Sequence, residues 1–89
     1  LSLNNVESIL NAHFPSIQAA AFSIADAQWG QTLHLAIVGD VDKDSIESIL
    51  VSKIGVFAKP KGIHFMNSLP LLGIGKIDRK KLAQGVSSE

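Results

Sequence analysis

The chain has 89 residues, of which 46% are hydrophobic, and this is enough for one small domain with a single modest core. Its formal net charge is zero, so we expect neither nucleic acid nor an anionic membrane as the main partner. The lack of cysteine excludes disulfides and thiolate chemistry. No apolar run is long enough for a membrane span, and the start of the chain lacks the pattern of a signal peptide. We therefore expect a cytoplasmic protein.

The first predicted element is a helix, which Asn4 or Asn5 caps and Pro15 ends. Its inward-facing positions follow the spacing i, i+3, i+4, i+7 and are Val6, Ile9, Leu10 and His13. The chain begins with Leu1 and enters this helix at once. We therefore expect residues 1–89 to be one domain of a longer protein.

Two strands are predicted next, because Ile17–Ile24 is almost wholly apolar and Thr32–Val38 is rich in β-branched and apolar residues. Asp26–Gly30 separates them as a turn. An antiparallel pair is expected.

The second half is predicted to contain a helix, a short strand, a ribbon and a final helix. Asp42 or Asp44 caps the helix and Gly55 ends it, with an apolar stripe at Ile46, Ile49, Leu50 and Ile54. The strand is Ile63–Met66, the ribbon spans Leu71–Ile77, and the last helix frays by Gly85, leaving residues 86–89 as a tail. The predicted fold is α+β, with a small antiparallel or mixed sheet of about three strands flanked by helices.

The ribbon carries the most informative motif in the chain. Gly73 and Gly75 are predicted to adopt positive φ in a tight turn, so that Lys76 projects from the domain. Asp78 then caps a helix that begins with Arg79. This helix starts with three cations at the positive end of its dipole, a local conflict that indicates function.

These residues resemble the closing motif of the adenylate-forming superfamily, which includes acyl-CoA synthetases, aryl-CoA ligases and peptide-synthetase adenylation domains. The matching residues are Leu69-Pro70, then Gly75-Lys76-Ile77-Asp78-Arg79-Lys80, and Leu82. The order of predicted elements from residue 2 to about 82 is also similar to the C-terminal lid domain of that family.

The resemblance implies an ATP-dependent acyl- or aryl-CoA ligase, with Lys76 as the catalytic residue of adenylate formation. It implies phosphate contacts from Gly75, Arg79 and Lys80. The substrates would be a carboxylic acid, ATP with Mg²⁺, and CoA, bound mainly by the protein's own N-terminal domain, with none held by residues 1–89 alone. The isolated domain is expected to be inactive, because it has one catalytic group and no closed pocket.

The sequence departs from the family pattern at three places. The opening Leu1–Glu7 run lacks the family's proline and first glutamate, Gln31 replaces a glutamate after Gly30, and Ala58 stands where the family has a lysine. Within the family, residues 60–65 and 72–79 look most like the o-succinylbenzoate-CoA ligases of menaquinone biosynthesis.

Other interpretations remain open at this point. Lys76 alone is compatible with a solvated lysine, and the cations at 79–81 with a solvated helix face. Trp29 either contacts a ligand or folds onto its own hairpin. The three histidines lack metal-ligand spacing, so no metal site is expected. The alternative functions are a non-catalytic interaction module and a weak nucleic-acid binder that uses the lysines of residues 53–81.

Overall fold

The computed structural model describes residues 2–87. Its elements in chain order are α1 (Leu3–His13), β1 (Gln18–Asp26), β2 (Gly30–Val38), α2 (Lys43–Lys53), a 3₁₀ turn (Val56–Ala58), β3 (Gly62–Phe65) and α3 (Arg79–Ser87). The sheet has the order β1-β2-β3, with β1 antiparallel and β3 parallel to β2. The predicted α+β fold with a mixed sheet is confirmed. None of the helices described in residues 2–87 has the length and hydropathy needed to cross a bilayer.

Both faces of the central part of the sheet are buried, because successive residues of a strand point to opposite faces and the consecutive residues 19–22 of β1 and 33–37 of β2 are all buried. The first face packs against α1 and α2 through a cluster that includes Val6, Leu10, Leu35, Ile37, Ile46 and Leu50. The second face packs against α3 through Ala20, Phe22, Ala36 and Leu82. The chain between β3 and α3, which contains the motif, therefore rests on the second face.

Side chains of α1 bind the outer edge of β1. The amide of Asn11 accepts a hydrogen bond from the backbone N–H of Ala19 (3.0 Å) and donates one to its carbonyl (3.3 Å). The carboxylate of Glu7 accepts a hydrogen bond from the backbone N–H of Ala21 at 2.7 Å. These bonds satisfy backbone groups that an edge strand would otherwise leave unpaired.

The start of α1 corrects the sequence prediction. Ser2 is the N-cap, and its hydroxyl accepts a hydrogen bond from the N–H of Asn5 at 3.2 Å. Neither Asn4 nor Asn5 caps the helix, because Leu3 packs against the first-face cluster and must itself be helical to share a face with Val6.

The ends of two later elements also differ from the prediction. β3 begins one residue earlier, at Gly62, although the N–H of Met66 still donates to the carbonyl of Ile37 at 2.9 Å. α3 does not fray at Gly85 but continues to Ser87, because Val86 packs on the second-face cluster. The rest of the predicted tail, residues 88–89, lies outside the described residues.

Candidate functional site

Residues 71–77 form the predicted ribbon. Leu71 and Ile77 form an antiparallel bridge, and the N–H of Leu72 donates to the carbonyl of Lys76 at 2.7 Å. The N–H of Gly75 donates back to Leu72 at 2.8 Å, and Gly75 has φ +86°. This is the pattern of a type I turn followed by one left-handed residue. Positive φ is therefore needed at Gly75 alone, and the prediction was wrong for Gly73.

Lys76 lies on the exposed part of this ribbon, as predicted. Its neighbours Leu71, Leu72 and Ile74 are also exposed, and Ile74 keeps 77% of its accessible surface. An apolar tip beside a cation is typical of a segment that contacts a second surface.

The base of the ribbon is anchored to the domain. Leu69 and Ile77 pack against the second-face cluster, and the N–H of Asp78 donates to the carbonyl of Pro70 at 2.9 Å. The carboxylate of Asp78 accepts a hydrogen bond from the N–H of Lys81 at 3.0 Å, so the predicted helix cap is confirmed.

Arg79 bonds to three residues in two other elements, β1 and α1. Its Nε donates to the carbonyl of Ala21 at 2.9 Å, and its Nη2 donates to Asn4 at 2.9 Å and to the Glu7 carboxylate at 2.8 Å. The side chain of Glu7 is only 15% exposed. Nε and Nη2 of Arg79 are thus hydrogen-bonded within the domain, whereas the side chain of Lys80, the next residue of the same helical turn, is exposed. Phosphate contacts by Gly75, Arg79 and Lys80 stay predictions.

A second surface, the aromatic–lysine patch, consists of Trp29, Phe57, Lys59 and Lys61. The two aromatic side chains are 67% and 68% exposed, and the four residues help to line a shallow cavity of about 420 Å³. Lys59 makes a loose contact with Glu47, with Nζ 3.8 Å from the carboxylate. The sequence analysis considered Trp29 as a ligand contact but did not consider Phe57 as one, although Phe57 stands just before two lysines that flank a proline.

The turn that carries Trp29 is held by Asp26. The carboxylate accepts hydrogen bonds from the N–H groups of Trp29 (2.9 Å) and Gln28 (2.8 Å). These donors keep the pKa of Asp26 below its usual value. The turn closes at Gly30, which has φ +79°, and Trp29 is thereby fixed at the end of the hairpin.

Two histidines meet across β2 and β3, which the sequence analysis did not foresee. Nδ1 of His34 lies 3.1 Å from Nε2 of His64, the ring centroids are 5.3 Å apart and the planes differ by 13°. The two ring planes are therefore nearly parallel, and a hydrogen bond joins the rings in which one nitrogen donates and the other accepts. Phe22 stacks on His34 at 5.6 Å. Burial, then His64, then Lys61 lower the pKa of His34. Within residues 2–87, no three His, Asp or Glu side chains group as metal ligands.

Comparison with known proteins identifies relatives of the chain. The family model for the AMP-binding enzyme C-terminal domain matches residues 5–76. A 2-succinylbenzoate–CoA ligase of Lactococcus lactis is 35% identical over 65 residues, which are 73% of this chain and 14% of the relative. A probable 2-succinylbenzoate–CoA ligase of Mycobacterium tuberculosis is 34% identical over 89 residues, covering 94% of this chain and 23% of the relative.

Solved structures share the fold. The amide bond synthetase McbA of Marinactinospora thermotolerans superposes with a TM-score of 0.86 at 24% identity, over 96% of this chain and 18% of that protein. An acyl-CoA synthetase of Brucella canis gives 0.85 at 22% identity, over 99% and 18% respectively. The chain thus spans less than a quarter of the length of each of these four proteins.

Proposed function

Because the chain belongs to the family of AMP-binding enzyme C-terminal domains, we propose that residues 1–89 are the lid of a CoA ligase that activates a carboxylic acid with ATP. The two curated relatives described above are CoA ligases by name, and they are several times longer than this chain. We therefore assign ATP and acid binding mainly to an N-terminal domain that precedes Leu1. A cytoplasmic location stays a prediction.

The observation that carries the proposal is Lys76, which is exposed on an anchored ribbon directly after the left-handed Gly75. In adenylate formation, a carboxylate oxygen bonds to the α-phosphorus of ATP while the bond to the β-phosphate bridge breaks and pyrophosphate leaves. Both reactants are anions. An ammonium group between them aligns the two and offsets their repulsion, and lysine suits this role as a compact charge on a flexible stem.

The acid that we propose is 2-succinylbenzoate, which would place the enzyme in menaquinone biosynthesis. The names of the two ligase relatives support this choice. Mg²⁺ is expected to arrive on the phosphates of ATP as part of the substrate. Lys80, which is exposed in the first turn of α3, is proposed as an additional phosphate contact.

CoA is the proposed acceptor in the second step. Its sulfur bonds to the acyl carbon, the acyl–phosphate bond breaks, AMP leaves and the thiol proton is released. The aromatic–lysine patch suits the nucleotide end of CoA, because an adenine ring stacks on exposed aromatic side chains. Lys59 and Lys61 lie beside these rings, where they can attract phosphates.

The test is ATP–pyrophosphate exchange by the complete polypeptide that contains residues 1–89, with a panel of acids that includes 2-succinylbenzoate. Lys76→Ala should reduce exchange by on the order of 10²-fold or more, while supplied acyl-adenylate and CoA still form thioester. Lys53→Ala, which removes another exposed lysine at the end of α2, is the matched control. Unchanged exchange in Lys76→Ala would contradict the proposed role of this residue.

A further inference from the structure

We infer that Arg79, held by Glu7, is a positioning residue that fixes the ribbon and thereby sets where Lys76 can reach. The inference rests on the proposed function, because it needs Lys76 to act in adenylate formation. It assigns Arg79 a role within the domain, distinct from the phosphate contact that the family resemblance suggested.

The first step of the argument concerns the ribbon itself. Its two arms are joined by the Leu71–Ile77 bridge and by two backbone hydrogen bonds at the turn. A ribbon of this size is at best marginally stable in water without support from neighbouring structure. The position of Lys76 therefore depends on what holds the base of the ribbon.

The second step concerns how the base is held. Arg79 follows Lys76 by three residues, so the two Cα atoms are at most about 11 Å apart. The guanidinium is planar and presents its donors in a fixed fork. Nε bonds to β1 through Ala21, and Nη2 bonds to α1 through Asn4 and Glu7. Three elements, α1, β1 and α3, thus meet at one side chain, which follows Ile77 of the ribbon by two residues.

The third step concerns Glu7, which joins two of these elements. One carboxylate oxygen accepts from Arg79 and the other accepts from the N–H of Ala21. Glutamine has one acceptor oxygen on its amide, and its NH₂ group would face a donor at the other contact. Glu7→Gln therefore preserves size but cannot make both bonds, and it is a mild test of the same anchor.

The experiment measures the two half-reactions separately in the complete polypeptide. Adenylation is followed by pyrophosphate exchange, and thioester formation is followed from supplied acyl-adenylate and CoA. The variants are Arg79→Ala, Arg79→Lys, Glu7→Gln and the double variant Lys76→Ala/Arg79→Ala, with Lys76→Ala as reference and Lys53→Ala as control. Thermal unfolding of each variant shows that it is folded at the assay temperature.

Arg79→Ala should lower adenylation by about 10²-fold, since a displacement of about 1 Å can have that effect, and leave thioester formation near the wild-type rate. Arg79→Lys and Glu7→Gln should show the same selectivity with smaller losses. The double variant should be no slower in adenylation than Lys76→Ala, because Arg79 acts through Lys76.

Four results would overturn the inference. Equal losses in both half-reactions for Arg79→Ala and Glu7→Gln would indicate a role in stability alone. A multiplicative loss in the double variant, with a raised KM for ATP, would indicate a separate phosphate contact. Normal adenylation by Arg79→Ala beside an impaired Lys76→Ala would refute positioning while the proposed function stands, whereas normal adenylation by Lys76→Ala would refute both.

Discussion

The paired rings of His34 and His64 leave no room for a side chain at Gly62 of β3. Gly62 lies opposite His34 in the parallel register and next but one to His64 in β3. A Cβ atom added at Gly62 would lie 2.9 Å from Nδ1 of His34 and 2.9 Å from Nε2 of His64. Gly62→Ala therefore inserts a methyl group against the two nitrogens that are bonded to each other.

The backbone and contacts of Gly62 determine both the direction and the size of the change in the free energy of unfolding. Gly62 does not have positive φ, so alanine fits the backbone and would ordinarily stabilise the fold by about 0.4–1 kcal/mol. Here the rings must separate, which loses a hydrogen bond worth about 1 kcal/mol and adds overpacking of about 1–3 kcal/mol. The expected net result is a loss of about 1–3 kcal/mol in the free energy of unfolding, or about 4–8 °C in Tm for each kcal/mol.

Urea unfolding of the wild type, Gly62→Ala, His64→Ala and the double variant tests this reasoning as a double-mutant cycle. With alanine at position 64 the added methyl group meets one ring instead of two, so Gly62→Ala should cost about 1 kcal/mol less in that background. If Gly62→Ala stabilises the fold, the rings move apart at no cost in free energy. If the effects of the two substitutions are strictly additive, His64 does not take part in the clash. Either result would refute the account.

Three further predictions concern other residues. The pKa of His34 is lowered in the folded state. The contribution of His34 to stability should therefore be complete above about pH 6.5 and be lost as the pH falls through the lower folded-state pKa. His34→Gln should accordingly make the free energy of unfolding, measured between pH 8 and pH 5, depend less on pH. Trp29→Ala should raise the KM for CoA by about 10-fold, from a stacking contribution of about 1–3 kcal/mol, with pyrophosphate exchange unchanged, and equal effects on both half-reactions would contradict this. Gly75→Ala, at φ +86°, should strain the ribbon by about 1–2 kcal/mol and slow pyrophosphate exchange, whereas Gly73→Ala, with open space around it, should be nearly neutral.

The secondary structure could be predicted because periodicity reports which face of an element is buried. The stripe on α2 illustrates this, since Ile46 and Leu50 are fully buried in the first-face cluster. Turn residues were equally informative. The Asp26 side chain accepts hydrogen bonds from its own turn, and the positive φ at Gly75 favours glycine.

Partners distant in the chain could not be predicted in the same way. Arg79 and Glu7 are 72 positions apart, and nothing in the local pattern of either residue identifies the other. His34 and His64 meet only because β3 pairs with β2 in parallel and in the register that places Gly62 opposite His34. The sequence thus indicated Lys76 through a local motif, whereas the anchor behind it depends on tertiary contacts.

The bonds that Asn11 and Glu7 make to β1 also affect how the domain behaves among other copies of itself. An open edge strand can recruit a strand from another molecule, but the backbone groups of Ala19 and the N–H of Ala21 already bind side chains of α1, and the carbonyl of Ala21 accepts from Arg79. The stretch of this edge around Ala19 and Ala21 is therefore closed to pairing with a strand of another molecule. Loss of the Asn11 amide would free the backbone groups of Ala19 and should accordingly appear as self-association at high protein concentration.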